Sequence, residues 1–309
     1  MKLAFLYAGQ GSQQVGMGKD LYAENEAFRA AFDSAQLEFD YKQICFEGTD
    51  EQLADTRYTQ PCMVAFACGV TAALAAEGIV PQAVAGLSLG EYSALQAAGV
   101  FTAKQAIELA AFRGNAMATA VQGRACGMAA ILGMERDALA ECCKAAADKG
   151  VCEIANYNCP GQLVIAGDSA AVDAACELAK AAGARRCVPL KVSGPFHTSL
   201  MAPAGDALAE RFASEQFGEM QIPVVFNCLG RAKAEDEIIP ALLEKQVQSS
   251  VYFEDSIRWL EQNGFDTVVE VGPGKALSAF VKKTAKSIRV LNVENLESFH
   301  AAVAALKGE

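Results

Sequence analysis

Histidine is scarce in this chain, with two residues in 309, His197 and His300. No C-x-x-C occurs among its eleven cysteines. Together these two shortages argue against a zinc site of mixed ligands, and no metal site is expected. The cysteine count is odd, Cys142 and Cys143 are adjacent, and the others are scattered through apolar runs. They read as small buried hydrophobes in a reducing cytosol, so the expected compartment is cytoplasmic. Positive charge is also in deficit: 26 Lys and Arg stand against 37 Asp and Glu, a formal net charge of −11. That balance excludes bulk attraction to nucleic acid or an anionic membrane, and any acidic partner needs a local basic patch. The longest apolar segment, 61–76, is interrupted by Gly69 and Thr71 and closed by Glu77. It falls short of a membrane span and reads as a buried helix. The run L-A-F-L-Y-A after Lys2 is too short for a secretory signal. Internal repeats and low-complexity tracts are absent.

Apolar residues make up 52% and charged residues 20%, which fits a compact globular chain of one large domain or two ordinary ones. The apolar strand at 2–7 runs into Gly9-Gln10-Gly11-Ser12-Gln13. Position 14 is Gln14, so the third glycine of a dinucleotide fingerprint is missing. The loop is either a tight turn or a set of backbone N–H groups facing a catalytic serine. Periodicity predicts a helix over 21–38, a long apolar helix starting at Thr59-Gln60-Pro61, and a helix capped by Thr102 that runs to about residue 120. Then follow a strand (126–133), a helix (135–149), strands at 151–157 and 162–167 joined by Asn158-Cys159-Pro160-Gly161, a helix (169–182) and a strand (184–190). This β-α-β-β-α-β order is the ferredoxin-like arrangement. It is taken as a small domain, 124–191, inserted into a larger domain built from 1–123 and 192–309. The larger domain resumes with a loop at 193–197 and alternates helices and strands to a last helix at 296–306. Gly272-Pro273-Gly274-Lys275 lacks P-loop spacing. The alternation predicts an α/β fold with a mainly parallel sheet covered on both faces.

One stretch carries chemistry. An apolar run from Ala83 ends at Ser88, which Gly86 and Gly90 flank in the spacing Gly-x-Ser-x-Gly, and a helix-like segment follows at once. This is the pattern of a nucleophile elbow, a sharp strand-to-helix turn that presents a serine hydroxyl. A serine nucleophile needs a base, most often histidine. His300 lies in the terminal helix, where a solvated or packing role is expected, whereas His197 follows Gly-Pro-Phe in a loop, where function concentrates. His197 is therefore assigned as base. Asp206, Asp255 and Glu270 are each conceivable third members. A dyad whose imidazole is oriented by a backbone carbonyl is equally consistent. Arg113, in A-A-F-R-G-N-A-M, is either a salt-bridged structural residue or a carboxylate-binding group, and the structural role is the plainer one from its neighbours alone.

With these residues placed, the chain resembles the malonyl-CoA:acyl carrier protein transacylases of fatty-acid synthesis over essentially its whole length. The motifs, in the family's order, are A-G-Q-G-S-Q (8–13), T-Q-P (59–61), G-L-S-L-G-E-Y-S-A-L (86–95), F-R-G-N-A-M (112–117), N-Y-N-C-P-G-Q (156–162), G-P-F-H-T-S-L-M (194–201), K-Q-V-Q-S-S-V (245–251) and E-V-G-P-G-K (270–275). The resemblance implies an α/β-hydrolase-like domain with a ferredoxin-like insertion. It also implies ping-pong transfer of malonyl from malonyl-CoA, through Ser88 and His197, to the phosphopantetheine thiol of an acyl carrier protein, with no further cofactor. Gln10 and Leu89 are implied as backbone oxyanion donors and Arg113 as the partner of the malonate carboxylate. Gln246 is implied to orient His197 through its carbonyl, and Phe196 to fill the space of an α-methyl group. Three positions depart from the usual pattern: Leu87 stands for histidine, Pro195 for alanine and Ser250 for proline. For an acidic carrier, Arg185, Arg186 and Lys191 form the first candidate patch and Lys282, Lys283 and Lys286 the second. A monomer is expected. A serine esterase or thioesterase on the same elbow, and a non-enzymatic carrier-binding module, are the competing classes. Arg113 discriminates against the esterase and the intact Ser88 and His197 against the module.

Overall fold

The computed structural model describes residues 1–190 and 194–308. In chain order the strands are β1 (Leu3–Tyr7), β2 (Ala83–Gly86), β3 (Cys126–Leu132), β4 (Cys152–Cys159), β5 (Gln162–Asp168), β6 (Arg186–Pro189), β7 (Val224–Phe226), β8 (Arg231–Ala232), β9 (Val251–Tyr252), β10 (Thr267–Val271) and β11 (Arg289–Val293). The chain divides into two compact units. One is Met1–Gly114 with Gln216–Phe226 and Ile257–Glu309, and the other is Asn115–Glu215 with Asn227–Ser256.

In the first unit the strands run β11-β10-β1-β2-β7, and each neighbouring pair is parallel. Every residue of β1, β2 and β10 is buried. Continuous apolar runs such as L-A-F-L-Y are what a sheet buried on both faces requires. Glu270 interrupts that rule in β10 at 0% exposure. Its carboxylate accepts the Leu277 N–H (3.0 Å), the Ser278 N–H (2.8 Å) and the Ser278 hydroxyl, so it satisfies the first free donors of the Ala276–Thr284 helix. Burial pushes its carboxyl above the usual range, against these bonds.

Two helices differ from expectation. The segment expected as one helix over 21–38 is two, Lys19–Glu24 and Glu26–Phe32, because the Asn25 side chain takes the Phe28 N–H (2.9 Å) and starts a new helix. The long apolar helix begins at Thr56 rather than Thr59, since Asp55 caps it through the Arg57 N–H (2.9 Å). Pro61 therefore sits inside it, where it has no N–H to give. At 21 residues it is long and apolar enough to cross a membrane, but 78% of its most apolar window is buried within the fold.

The second unit carries a sheet in the order β6-β3-β5-β4-β9, antiparallel except for the β4–β9 pair. Helices Arg136–Ala145 and Ser169–Ala181 bury Leu139, Cys143, Val172 and Ala175 against Ile131, Ile154, Leu163 and Ile165. This is the expected ferredoxin-like βαββαβ, and its strands β3 to β6 all lie within 124–191. The compact unit is larger than that insertion, running Asn115–Glu215 with Asn227–Ser256, and β9 extends its sheet. Tyr157 of β4 stacks on Tyr252 of β9 at 5.0 Å. Arg136 covers Tyr157 at 4.7 Å and pairs with Glu254 (3.1 Å) and Asp255 (2.9 Å). The expected boundary at 191/192 falls outside the described residues.

Glu270→Ala leaves two buried helix N–H groups without their acceptor and is expected to cost about 2–3 kcal/mol. The readout is a lower urea midpoint at unchanged slope; an unshifted midpoint would mean that the helix start finds other acceptors.

Candidate active site

In the first unit, β2 ends at Gly86 and the Gly90–Ala97 helix begins four residues on. Ser88 sits between them with φ 53°, a left-handed conformation that a side chain adopts only under constraint. The constraint is local. A Cβ at Gly86 would lie 2.0 Å from the Gly90 carbonyl carbon, and one at Gly90 would lie 2.2 Å from the Tyr7 carbonyl oxygen. The Leu87 N–H donates to that same oxygen at 2.9 Å. A Cβ at Gly9 would meet the Leu87 carbonyl oxygen at 2.5 Å, so the Gly9-Gln10-Gly11 loop lies against the elbow. The Gln10 side chain donates to Thr56 Oγ1 at 2.9 Å. Among the described residues, the N–H groups of Gln10 and Leu89 donate to no backbone carbonyl, which is the condition for oxyanion donors.

Arg113 is 1% exposed. Its Nη1 donates to Gln60 Oε1 at 3.0 Å and its Nη2 to Ser88 Oγ at 3.1 Å. The Tyr92 ring lies 5.5 Å from its guanidinium carbon. Burial pulls its basicity down, and the Tyr92 and Glu91 oxygens oppose that. Packing explains its position: a Cβ at Gly114 would be 2.6 Å from the Thr56 carbonyl oxygen, so the two helices touch there and Gln60 comes within reach. Arg113 therefore reaches from its own helix to the elbow serine and to Gln60.

In the second unit, His197 is 3% exposed and has φ 63°. Its Nδ1 lies 2.9 Å from the Gln246 carbonyl oxygen. A carbonyl only accepts, so Nδ1 carries a proton. Thr198 Oγ1 donates to the Pro195 carbonyl at 2.6 Å, which ties the loop. Phe196 is buried beside Gly194. The three candidate acids are engaged elsewhere or exposed: Asp255 pairs with Arg136, Glu270 caps its helix, and Asp206 faces solvent. The carbonyl-oriented alternative is the one the geometry supplies.

Ser88, Arg113, Gln10 and Leu89 thus belong to the first unit, and His197, Gln246 and Phe196 to the second. Ser250, where a proline is usual, donates from Oγ to the Ile154 carbonyl at 2.6 Å. Arg185 and Arg186 are exposed, Lys191 lies outside the described residues, and Lys282, Lys283 and Lys286 are exposed. Sequence reasoning missed the role of Gln60, quoted only within T-Q-P. It also missed Glu153, whose carboxylate takes the N–H (2.8 Å) and hydroxyl (2.5 Å) of Ser199. Neither has a local signal, because each contact spans more than forty residues. Among the described residues no cluster of three or more metal-ligating side chains occurs.

A strained serine on a glycine-flanked elbow, free N–H donors beside it and a buried guanidinium define a site for acyl transfer through serine. The chain belongs to the acyl transferase domain family, whose model matches residues 4–305. It is 41% identical over 311 aligned residues to a malonyl CoA-acyl carrier protein transacylase of Bacillus subtilis, covering 100% of this chain and 98% of that one. The fold matches the crystal structure of a malonyl CoA-acyl carrier protein transacylase from Clostridium perfringens with a TM-score of 0.96 at 38% identity, covering 100% and 98% of the two chains. It also matches a malonyl-transacylase solved in complex with a type II polyketide acyl-carrier protein, with a TM-score of 0.95 at 34% identity and full coverage of both chains.

Gly90→Ala drives a Cβ into the Tyr7 carbonyl. It is expected to cost about 3 kcal/mol and to abolish labelling of Ser88 by a serine-directed phosphonate. Undiminished labelling would show that the elbow tolerates the added carbon.

Proposed function

We propose that this protein transfers the malonyl group from malonyl-CoA to the phosphopantetheine thiol of an acyl carrier protein, in a cytoplasm and with no cofactor beyond its substrates. The observation that carries the proposal is the buried Arg113 guanidinium 3.1 Å from the nucleophile oxygen. An acyl group on Ser88 that ends in a carboxylate would meet that guanidinium, and the bidentate pair would replace its neutral contact. An acetyl group offers no carboxylate and so forgoes that charge-assisted pair.

His197 Nε2 takes the Ser88 proton as Oγ attacks the thioester carbon. The N–H groups of Gln10 and Leu89 stabilise the oxyanion, each such donor contributing about 3 kcal/mol. Collapse breaks the C–S bond, and the CoA sulfur leaves with the proton from His197. The carrier thiol then gives its proton to His197 and attacks the malonyl-serine ester, and Ser88 departs reprotonated. The Gln246 carbonyl keeps Nδ1 protonated throughout, and Phe196 is assigned to exclude an α-methyl group. Exposed Arg185 and Arg186, with Lys191, are assigned to meet the acidic carrier, with Lys282, Lys283 and Lys286 as the second candidate surface. The protein acts as a monomer in this scheme.

Intact mass after brief mixing with malonyl-CoA is expected to reveal a malonyl adduct on Ser88 that moves to holo carrier protein. Free malonate without adduct or transfer would instead identify a thioesterase. Arg113→Ala is expected to lower malonyl transfer by about 100-fold or more while acetyl transfer is retained, in line with the loss of a charged hydrogen-bonded pair; unchanged selectivity would return Arg113 to a structural role.

A further inference from the structure

The Arg136–Ala145 helix and β4 are joined by a short link, the turn Ala147–Lys149 and Gly150. Gly150 adopts φ 131°, and a Cβ there would lie 2.5 Å from Asp168 Oδ2. This tight return sets Cys143, near the end of the helix, against Cys152, the first residue of β4, with their sulfurs 3.7 Å apart. Cys143 is 6% exposed within the apolar cluster, whereas Cys152 is half-buried at its edge. Other cysteines are placed differently: Cys45 and Cys62 are both 0% exposed, and the Cys187 thiol donates to the Cys176 carbonyl.

We propose that Cys143 and Cys152 form a reversible disulfide under oxidation by a hydroperoxide, and that this cross-link disturbs the mounting of His197. Closing a sulfur contact of 3.7 Å to a bond of about 2.05 Å needs a shift of under about 2 Å shared between two side chains. The Cys152 thiol donates to Cys143, and that bond favours the Cys143 thiolate, the reactive form. In the reaction, the Cys143 thiolate attacks a peroxide oxygen; the S–O bond forms, the O–O bond breaks, and the departing oxygen leaves as water or alcohol. Cys152 sulfur then attacks the sulfenic sulfur, the S–S bond forms, the S–O bond breaks, and hydroxide leaves as water with the Cys152 proton. Two thiols are oxidised by two electrons and one peroxide is reduced.

The next two residues connect this pair to the base. Glu153 holds the N–H and hydroxyl of Ser199, two residues beyond His197. Ile154 accepts from Ser250, four residues beyond Gln246, whose carbonyl holds the imidazole. The second and third residues of β4, next to Cys152, thus anchor both segments that place His197. This coupling rests on the transferase function proposed above, whereas disulfide formation does not.

The test treats the full-length protein with stoichiometric hydrogen peroxide, alkylates free thiols and maps peptides. The expected result is a loss of about 2 Da in one cross-link between Cys143 and Cys152, reversed by dithiothreitol and absent in Cys152→Ser. Alkylated Cys143 and Cys152 after treatment, pairing elsewhere, or oxidation of either sulfur to sulfinic acid would overturn the site. Malonyl loading of Ser88 is expected to slow several-fold in the oxidised wild type and not in peroxide-treated Cys152→Ser. Equal loading by oxidised and reduced wild type would overturn the coupling, and loading absent even from the reduced protein would count against the transferase function alone.

Discussion

A guanidinium withdrawn almost wholly from water is the constraint on which the site depends. Isolated burial of such a charge costs several kcal/mol even after relaxation. Arg113 offsets that cost with neutral acceptors, the Gln60 amide and the Ser88 hydroxyl, and with the face of Tyr92. Neutral oxygens balance a full positive charge less well than a carboxylate does. In the function proposed above, the substrate's free carboxylate supplies that better partner when the acyl group reaches Ser88. In that proposal selectivity and catalysis meet at one residue, because the Nη2 assigned to the carboxylate also touches the Ser88 oxygen.

What could be read from the amino-acid order depended on how local its cause was. The elbow was legible because the need for Gly86 and Gly90 arises within five residues and with the strand beside them. The ferredoxin-like strands and helices of the second unit were legible for a similar reason: their periodicity and turn residues lie within each hairpin or crossover. Arg113 was not, because its contact with Gln60 is fifty-three positions distant and depends on Gly114 admitting the Thr56 backbone. The break at Asn25 was missed because apolar spacing continues across it, while a single side-chain cap decides the matter. β9 is two residues long and carries no pattern of its own, yet it extends the sheet.

The partner of His197 illustrates a deeper limit. A search for a third catalytic residue looks for carboxylates, and the chain offers many. The group found at Nδ1 is a backbone carbonyl, which every residue possesses. Only the resemblance pointed to Gln246, because no side-chain chemistry could. A carbonyl fixes the tautomer as a carboxylate would, but it brings no negative charge to stabilise the imidazolium. Thioester cleavage expels a thiolate rather than an amine. In the proposed reaction the leaving sulfur needs less help from a strongly basic histidine, which suits a neutral orienting group.

Strain ties the two halves of this chemistry together. Among the described residues, Ser88 and His197 are the non-glycine positions with positive φ. Each such residue costs on the order of 1–3 kcal/mol and persists only where its surroundings over-determine it. At Ser88 the enforcing contacts are the interlocked glycines and the Tyr7 carbonyl. At His197 they are the Thr198–Pro195 tie and the Gln246 carbonyl. Both residues hold side-chain atoms that relaxed backbone would point elsewhere, and hydrogen bonds to main chain help to fix each segment. In the proposed function the stability given up at these two positions has a common use, because each functional atom is held within its own unit before reaction.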